Sequence, residues 1–302
     1  MKILMLTEND PAGCAILFRN AIEEYTEHSC RLITQSEKSC YSFDKDIHIP
    51  DIYLDSGLHV KESNIEELLK TSDIFHFHIL SDESMQLGPF KVADYIKGKA
   101  IAHHHHGHPD FRKNPEKYRL KYRKLGRKML VSTPDLLIGL PAADWMPNLV
   151  PIMDPLYMPT EERYPEFTVG HSPTRTDIKD TVTLLEAVHR AGVNVDIIMN
   201  TDHKECLRRK QKCHVIFDHL QGYYGVSSLE GLSMDKTVIA NLSSWVRENI
   251  KEFAETESLP WISWHGTDKT FRNLNLRGRD FMVNHWSDKK VVSRLIKFYE
   301  GL

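Results

Sequence analysis

The sequence predicts an α/β protein made of two Rossmann-like halves, each with a mainly parallel sheet. Short apolar segments alternate with helical patterns along the chain, and the alternation restarts after a proline-rich stretch. Strands that alternate with helices build parallel sheets. The chain has 302 residues, of which 41% are hydrophobic and 27% charged. This length and composition allow two domains of about 150 residues each.

In the first half, apolar runs predict strands and helical spacing predicts helices. The strands cover residues 2–6, 31–34, 73–80, 99–102 and 128–133, and the helices cover 15–25 and 64–70. A further helix begins at Pro134, where the missing backbone N–H of proline is harmless.

Six prolines between residues 141 and 165 predict a stiff connector, because proline fixes φ and offers no backbone donor to a regular element. After it the pattern resumes, with strands over 167–171, 195–199, 215–218 and 237–240 and helices over 180–191 and 203–210. We therefore place a domain boundary between residues 150 and 151.

Charge and cysteine content exclude several classes of protein. The formal net charge of −3 argues against a general polyanion-binding protein. The five cysteines are odd in number and lack paired metal-ligand spacing, which indicates free thiols in a reducing compartment. The apolar start is too short for a signal peptide, and no apolar run approaches the roughly 18 residues of a spanning helix. We expect a cytoplasmic protein, with peripheral membrane association as the alternative.

The most informative segment covers residues 222–241. Gly222 and Gly225 bracket a turn after the strand at 215–218, and a helical stretch carrying Glu230 then leads into the next strand. This order places Glu230 near the start of a helix at the carboxyl end of a sheet, where α/β proteins bind nucleotides. A carboxylate there can accept hydrogen bonds from both hydroxyls of a ribose. The alternative is a glutamate exposed on the helix surface.

This segment resembles the donor-binding signature of glycosyltransferases with the GT-B fold, especially the retaining family 4. Weaker motifs follow in the family's order: a first strand and small-residue loop over 1–15, a D-I-h-H-x-H strand over 73–78, an H-G-x-D strand end over 102–110, the run 131–154, and a terminal segment over 277–300. The resemblance covers nearly the whole chain. It implies two Rossmann-like domains facing across a cleft, with residues 1–150 binding the acceptor, 151–285 binding the donor, and a C-terminal helix, 286–302, returning to the first domain.

The resemblance also implies a reaction. A sugar would pass with retention from a nucleotide sugar, UDP- or GDP-linked, to an acceptor, without a metal ion or a cofactor. Arg175 and Lys179 would grip the donor diphosphate and, with His106, form the catalytic set; the alternative is two ordinary cations in a solvated loop. The donor-binding residues implied are Gly13, Arg175, Lys179, Gly222, Tyr224, Gly225, Val226, Ser227 and Glu230.

One position departs from the family pattern. Retaining members often carry two glutamates eight positions apart; Glu230 matches the second, but Gly222 occupies the first. Contacts to the sugar would then come from backbone N–H groups around Tyr224 to Ser227, and an inverting outcome stays open. Two other functions stay open as well: a nucleotide-sugar epimerase on the same architecture, and a catalytically degenerate subunit that only binds a nucleotide sugar.

The chain contains 17 histidines, four of them consecutive at 103–106. Successive residues of a strand point to opposite faces, and no carboxylate or cysteine completes a ligand set, so we predict no metal site. By match to the H-G motif, His106 lies on the acceptor side with His76 and His78. Asp110 and Arg112 complete this acceptor-side set. Histidines buried in the core or at its rim are the alternative.

Residues 112–128 hold nine basic residues against one acidic residue, with Tyr118 and Tyr122 between them. On a helix of the first domain they would form a local positive face. Because the first domain holds the acceptor in the family, this face implies an anionic acceptor, such as a glycolipid, a membrane-surface glycan or modified DNA. A solvated helix face is the alternative.

Overall fold

The computed structural model describes residues 1–36, 41–50, 59–264, 271 and 277–302, with 59–63 described as backbone only. The chain forms two compact units. The first comprises Met1–Lys38, Phe43–Pro147 and Val291–Leu302. The second comprises Asn148–Lys290 together with the short strand Tyr41–Ser42.

Ten strands and five helices precede residue 148 in the described part of the chain. The strands are β1 (Lys2–Thr7), β2 (Ser29–Thr34), β3 (Tyr41–Ser42), β4 (Ile47–His48), β5 (Ile74–His78), β6 (Gln86–Leu87), β7 (Phe90–Lys91), β8 (Ala100–His105), β9 (Lys128–Val131) and β10 (Asp144–Trp145). The helices are α1 (Cys14–Tyr25), α2 (His59–Thr71), α3 (Pro109–Lys113), α4 (Pro115–Leu125) and α5 (Leu136–Gly139).

After residue 148, helices and strands alternate again. The strands are β11 (Thr168–His171), β12 (Asn194–Ile197), β13 (Thr201–Asp202), β14 (Val215–Phe217), β15 (Thr237–Ile239) and β16 (Trp261–Ile262). The helices are α6 (Thr181–Ala191), α7 (His203–Lys212), α8 (Val226–Ser233), α9 (Ser244–Ala254), α10 (Gly278–His285) and α11 (Asp288–Glu300). Short 3₁₀ turns lie at Val92–Asp94 and Pro155–Tyr157.

The first unit is built on a seven-stranded sheet with the order β10-β9-β8-β5-β1-β2-β4. All of its strand pairs are parallel. Strands of such sheets are buried on both faces, which explains why β1 reads as an almost unbroken apolar run. Leu4, Leu6, Phe75 and Phe77 are among the buried side chains of the core on this sheet.

The second unit has a five-stranded parallel sheet with the order β12-β11-β14-β15-β16. Val169, Phe217 and Ile239 lie in its core, which is covered by α6 through Leu184 and Val188. The short strand β3 pairs in parallel with β13. Both sheets therefore present the carboxyl ends of parallel strands, where the candidate residues lie.

The predicted α/β class with parallel sheets is confirmed. Helix α9 was not predicted from the sequence, although Val246, Ile250 and Phe253 recur at helical spacing. Ser243 caps this helix by accepting a hydrogen bond from the Val246 N–H. Strands β16 and β10 were not predicted either. Each has only two residues, which is too short to show a period. The predicted stiff connector contains β10 and the 3₁₀ turn at Pro155–Tyr157.

Four cysteines are free and buried, namely Cys14, Cys30, Cys206 and Cys213, while Cys40 lies outside the described residues. Within the described chain, every helix is too short or too polar to cross a lipid bilayer.

Replacing Gly231 by alanine tests how closely α8 packs on the second sheet. The added methyl carbon would lie 2.8 Å from Cγ2 of Val238 and 3.1 Å from Cβ of Ile216, closer than carbon atoms pack. Overpacking costs about 1–3 kcal/mol. We therefore expect chemical denaturation to show a lower free energy of unfolding, although alanine normally favours a helix by about 1 kcal/mol over glycine.

Gly301→Ala serves as the control, since among the described residues its methyl carbon would approach no atom closer than 3.5 Å. Its free energy of unfolding should stay within about 0.5 kcal/mol of wild type. If Gly231→Ala proves as stable as wild type or more stable, α8 does not pack as closely as described.

Candidate functional site

The start of α8 lies at the carboxyl end of the second sheet and is built by glycines. Gly222 has φ +88°, a conformation that favours glycine, and its carbonyl accepts a hydrogen bond from the Ser243 N–H at 2.9 Å. Gly225 caps the helix. A Cβ at Gly225 would lie 2.9 Å from Nζ of Lys179 and 3.0 Å from Oδ1 of Asp218. The absence of a side chain at Gly225 therefore brings Lys179 and Asp218 close to the helix start.

Asp218 follows β14 directly and organises this helix start. Its buried carboxylate accepts hydrogen bonds from Nζ of Lys179 at 2.9 Å, Oγ of Ser228 at 2.7 Å and the Gly225 N–H at 2.5 Å. Burial alone would raise the pKa of Asp218, but the charge of Lys179 and the hydrogen bonds hold that pKa well below its usual range. Asp218 is therefore an anion that orients Lys179. Sequence reasoning missed it; the available signal was an aspartate immediately after a buried strand.

Glu230 lies one turn into α8 and is buried, with 4% of its side chain exposed. Its Oε1 lies 2.7 Å from Nε2 of His203, and its Oε2 accepts a hydrogen bond from Lys210. Lys210 also donates to Oγ of Ser227 at 3.0 Å, and its side chain is 2% exposed. These contacts form a buried polar network that links α7 to the start of α8. Sequence reasoning identified Glu230 and Ser227 but neither Lys210 nor His203.

The charges of this network follow from its pKa shifts. Burial alone would raise the pKa of Glu230, but the charges of Lys210 and His203 and their hydrogen bonds lower it to about 2. Burial would lower the pKa of Lys210, but the neighbouring Glu230 raises it above its ordinary value. Lys210 and Glu230 therefore form a charged pair at neutral pH, although both are out of contact with water.

Other predicted donor residues of the second unit have different environments. Arg175 lies in the exposed loop before α6, where its guanidinium pairs with Asp177 at 2.5 Å. The side chain of Tyr224 is buried against Trp261 and Trp286, with ring centroids 5.6 and 5.7 Å away. Tyr224 therefore anchors the turn, so only its backbone is left to meet a ligand. Val226 and Ser227 form the first turn of α8.

Gly13, predicted as a donor residue, lies in the first unit at the start of α1. Its φ is +65°. A Cβ there would lie 2.3 Å from the ring of Phe43, so the position requires glycine both for backbone conformation and for space.

The histidines of the first sheet divide between its two faces. His76 and His78 on β5 stack with a centroid separation of 4.2 Å, and His104 and His106 approach each other to the same distance. Nδ1 of His78 lies 3.0 Å from Nε2 of His106. The structure thus brings together His76, His78 and His106, as grouped from the sequence, and adds His104.

His103 and His105 point to the opposite face. Nε2 of His103 lies 3.3 Å from Glu83, and Nε2 of His105 lies 2.8 Å from the hydroxyl of Tyr122. The run of histidines therefore contributes to two separate environments, as the alternation of a strand requires.

Asp110 and Arg112 are held by contacts within the first unit. Asp110 accepts hydrogen bonds from Tyr118 at 2.5 Å and Lys117 at 3.0 Å, and the bond from Tyr118, followed by that from Lys117, lowers the pKa of Asp110 to about 2. Arg112 donates to the Gly107 carbonyl at 3.1 Å and pairs with Asp135.

Many of the basic residues of 112–128 are neutralised by neighbouring carboxylates. Five of them pair with carboxylates: Arg112 with Asp135, Lys117 with Asp110, Arg119 with Glu116, Lys121 with Asp82 and Arg127 with Glu83. Among the described residues, Arg123 and Lys124 are exposed and have no ion-pair partner. The positive face of α4 is therefore centred on the last turn of the helix, where both residues lie.

The chain has the GT-B fold of known glycosyltransferases, which confirms the expectation from the sequence. It aligns with sucrose-phosphate synthase from Thermosynechococcus elongatus at a TM-score of 0.60 and 10% identity, over 100% of this chain and 99% of the other. It aligns with Anabaena HepE in complex with UDP-glucose at a TM-score of 0.60 and 11% identity, over 100% of both chains.

A third similar structure is an alpha-glucosyltransferase in complex with UDP-glucose and DNA containing an abasic site. Its TM-score is 0.57 at 11% identity, over 99% of both chains. No protein-family model and no curated protein sequence matches the chain. At such low identity the likeness establishes the fold, so the chemistry must be argued from the residues of this chain.

Truncating Glu230 should destabilise the protein, because it leaves the buried ammonium of Lys210 without its counter-charge. Loss of one partner of a buried ion pair costs about 3–5 kcal/mol. We expect Glu230→Ala to lose free energy of unfolding of that order in urea denaturation. The double variant Glu230→Gln/Lys210→Met removes both charges together and should recover most of the loss.

Glu248→Ala is the matched control, since Glu248 pairs with Lys251 at 3.1 Å but is 70% exposed. Its effect should stay below about 1 kcal/mol. An equally small effect for Glu230→Ala would show that the network is hydrated in solution.

Proposed function

We propose that this protein transfers a sugar from a nucleotide sugar to an acceptor, and that the donor binds at the start of α8. The observation that carries the proposal is the convergence of Lys179, Glu230 and the first turn of α8 at the carboxyl end of the second parallel sheet. Helix starts at this edge favour phosphates, because their backbone N–H groups and dipole attract anions. The likeness to structures solved with UDP-glucose supports UDP-sugars over other donors.

In this proposal, Lys179 binds the donor diphosphate. Its ammonium lies 2.9 Å from Asp218 with 17% of the side chain exposed, so it is oriented and still accessible. The exposed guanidinium of Arg175 would exchange Asp177 for a phosphate, since the two acids offer the same bidentate geometry. Both cations would offset charge as the bond between sugar and diphosphate breaks.

Glu230 binds the ribose hydroxyls in this proposal, and His203 must then move. Oε1 of Glu230 contacts Nε2 of His203, and the His203 side chain is 12% exposed whereas that of Glu230 is 4% exposed. Displacement of the His203 ring would uncover Oε1 while Oε2 keeps its bond to Lys210. The carboxylate would exchange one partner for another, so binding would leave no buried charge unpaired.

The finer points of the reaction are part of the same proposal. Transfer proceeds with retention and without a metal ion on the diphosphate, whose charge Lys179 and Arg175 neutralise. Backbone N–H groups at Tyr224, Val226 and Ser227 contact the sugar, because Gly222 offers no side chain and the Gly225 N–H already donates to Asp218. His106 faces the acceptor on the first unit, with the buried rings of His78 and His76 behind it. Arg112 holds the loop beside His106 through the Gly107 carbonyl, and the N–H of Asp110 donates to Nδ1 of His108.

Comparing the affinities for UDP and uridine distinguishes the loss of a diphosphate contact from a general disturbance of the binding site. Lys179→Gln can still donate a hydrogen bond to Asp218 but lacks the charge. We expect isothermal titration calorimetry to show UDP affinity reduced by about 1.5–3 kcal/mol, the range of a hydrogen bond to a charged group, with uridine affinity unchanged. Arg175→Ala should act in the same direction.

Matched controls exist for both variants. Lys212 pairs with Glu162 at 2.7 Å, and Arg208 is 55% exposed and pairs with its neighbour Glu205, as Arg175 is 53% exposed and pairs with Asp177. Lys212→Gln and Arg208→Ala should bind UDP as wild type does. Equal losses for UDP and uridine in Lys179→Gln would refute its role at the diphosphate.

The acceptor side is tested by reversing the unpaired charges of α4. Arg123→Glu/Lys124→Glu should weaken binding of duplex DNA or of anionic vesicles by about tenfold or more at low salt, since each basic residue near such a surface contributes about 1 kcal/mol. UDP affinity should not change. The effect should shrink as salt rises, because exposed charges are screened over about 8 Å at physiological ionic strength.

Lys91→Glu/Lys97→Glu is the control, because both lysines are exposed residues of the first unit outside α4 and the change in net charge is the same. An anionic acceptor on α4 is refuted if wild type binds neither probe, or if the two double variants bind equally.

A further inference from the structure

Four histidines share one face of the first sheet. His78 on β5 lies directly opposite His104 on the parallel strand β8, and residues two apart on a strand point the same way. His76, His78, His104 and His106 therefore project to the same side. The ring of Phe18 from α1 covers this face, 5.5 Å from His104. All three of His76, His78 and His104 are buried, with exposures of 0%, 1% and 0%.

Two of these three buried rings make hydrogen bonds to residues outside the set of three. Nδ1 of His76 lies 2.5 Å from the hydroxyl of Tyr299 on α11, and Nδ1 of His78 lies 3.0 Å from Nε2 of His106. The remaining Nε2 atoms of His76 and His78 are buried without a hydrogen bond to any described residue. The side-chain nitrogens of His104 are also buried and make no close hydrogen bond to a described residue, although the backbone of Met146 lies near enough to act on the ring.

Such a cluster is costly unless something occupies it. A buried polar atom without a partner destabilises the folded protein, and native proteins leave few of them. Burial is the main reason why the pKa values of His76, His78 and His104 lie well below their usual range, and the neighbouring histidines lower them further. The backbone of Met146 has the opposite effect and raises the pKa of His104. A metal ion would satisfy the unpartnered nitrogens of these rings, because imidazole nitrogen is a common metal ligand.

We propose that His76, His78 and His104 bind a divalent first-row transition metal ion, with zinc as the best match. One nitrogen from each ring lies within 4.8 Å of the others. Tetrahedral zinc holds imidazole nitrogens at about 2.0–2.1 Å, which places them roughly 3.4 Å apart. Side-chain rotations that draw the rings together by about 1 Å would complete the set, and the fourth position would take a water molecule.

The surroundings of the three rings fit this assignment. Metal-bound histidines usually donate their second N–H to another protein group, which fixes the tautomer. Tyr299 and His106 fill that role for His76 and His78. Three imidazoles without a carboxylate suit zinc, copper or nickel and do not suit calcium or magnesium, which prefer oxygen ligands. The run at 103–106 alone predicts no metal site, whereas the fold combines histidines from two neighbouring strands.

The proposed ion belongs to the first unit and does not depend on the proposed sugar transfer. It would tie together β5, β8 and, through Tyr299, the helix α11 that closes the unit. A chain that binds zinc but no nucleotide sugar would refute only the proposed function. A chain that binds UDP-glucose but no metal would refute only this inference.

The test uses the full chain without a polyhistidine tag. The protein is incubated with excess Zn²⁺, passed over a desalting column, and its zinc is measured by atomic spectrometry. We expect about one ion per chain, a higher melting temperature than the chelator-treated protein, and, with Co²⁺ in place of Zn²⁺, the intense visible absorption of a four-coordinate cobalt ion.

His104→Phe is the decisive variant, because it keeps an aromatic ring in the cluster and removes the ligand nitrogens. It should retain less than about a tenth of the wild-type zinc and lose the metal-induced rise in melting temperature. His105→Phe is its control, since His105 is equally buried on the same strand but points to the other face. Tyr299→Phe should bind zinc about 10- to 100-fold more weakly, as loss of an outer hydrogen bond does.

Three results would overturn the proposal. Wild type could retain less than about 0.1 zinc per chain, which would leave ordered water as the occupant of the cluster. His104→Phe could retain as much zinc as wild type, which would assign the ion to exposed histidines. His105→Phe could lose the zinc while circular dichroism shows an intact fold, which would place the ion on the other face.

Discussion

The buried ion pair between Lys210 and Glu230 is the interaction on which the second unit's candidate site depends. Both side chains are almost fully removed from water, so either charge alone would cost several kcal/mol. Together they cross-link α7 to α8, and Lys210 also bonds to Ser227 in the first turn of α8. The pair therefore fixes the helix start against which a phosphate group would be placed.

Asp218 and Glu230 lie near the same helix start but have separate tasks. The carboxylate of Asp218 accepts hydrogen bonds from the Gly225 N–H, Ser228 and Lys179. It therefore acts by orienting these three groups. Glu230 has one oxygen on buried Lys210 and the other on His203, whose side chain lies nearer the surface and would give way to the ribose in the proposed function. Sequence alone distinguishes neither role, because both depend on which side chains the fold brings within 3 Å.

The fold was predictable because its signals are local. Strands such as β1 are short apolar runs, and the order of motifs along the chain is enough to indicate the GT-B fold. The position of Glu230, one turn into a helix that follows a glycine turn, was predictable for the same reason. Lys210, His203 and His104 were not, because each acquires its role from a residue on another element. For Arg175 and the basic residues of α4, the charges can be read from the sequence. The carboxylates that neutralise many of these charges are identified only by the structure.

The most direct test of donor binding at the start of α8 is a crystal structure of the wild-type protein with UDP-glucose, after calorimetry has shown that the donor binds. We expect the diphosphate at the start of α8 within hydrogen-bond distance of Lys179, and the ribose hydroxyls on Glu230 in place of the His203 ring. A nucleotide bound elsewhere, with His203 still on Glu230, would contradict this expectation. So would the absence of measurable UDP-glucose binding by a folded protein.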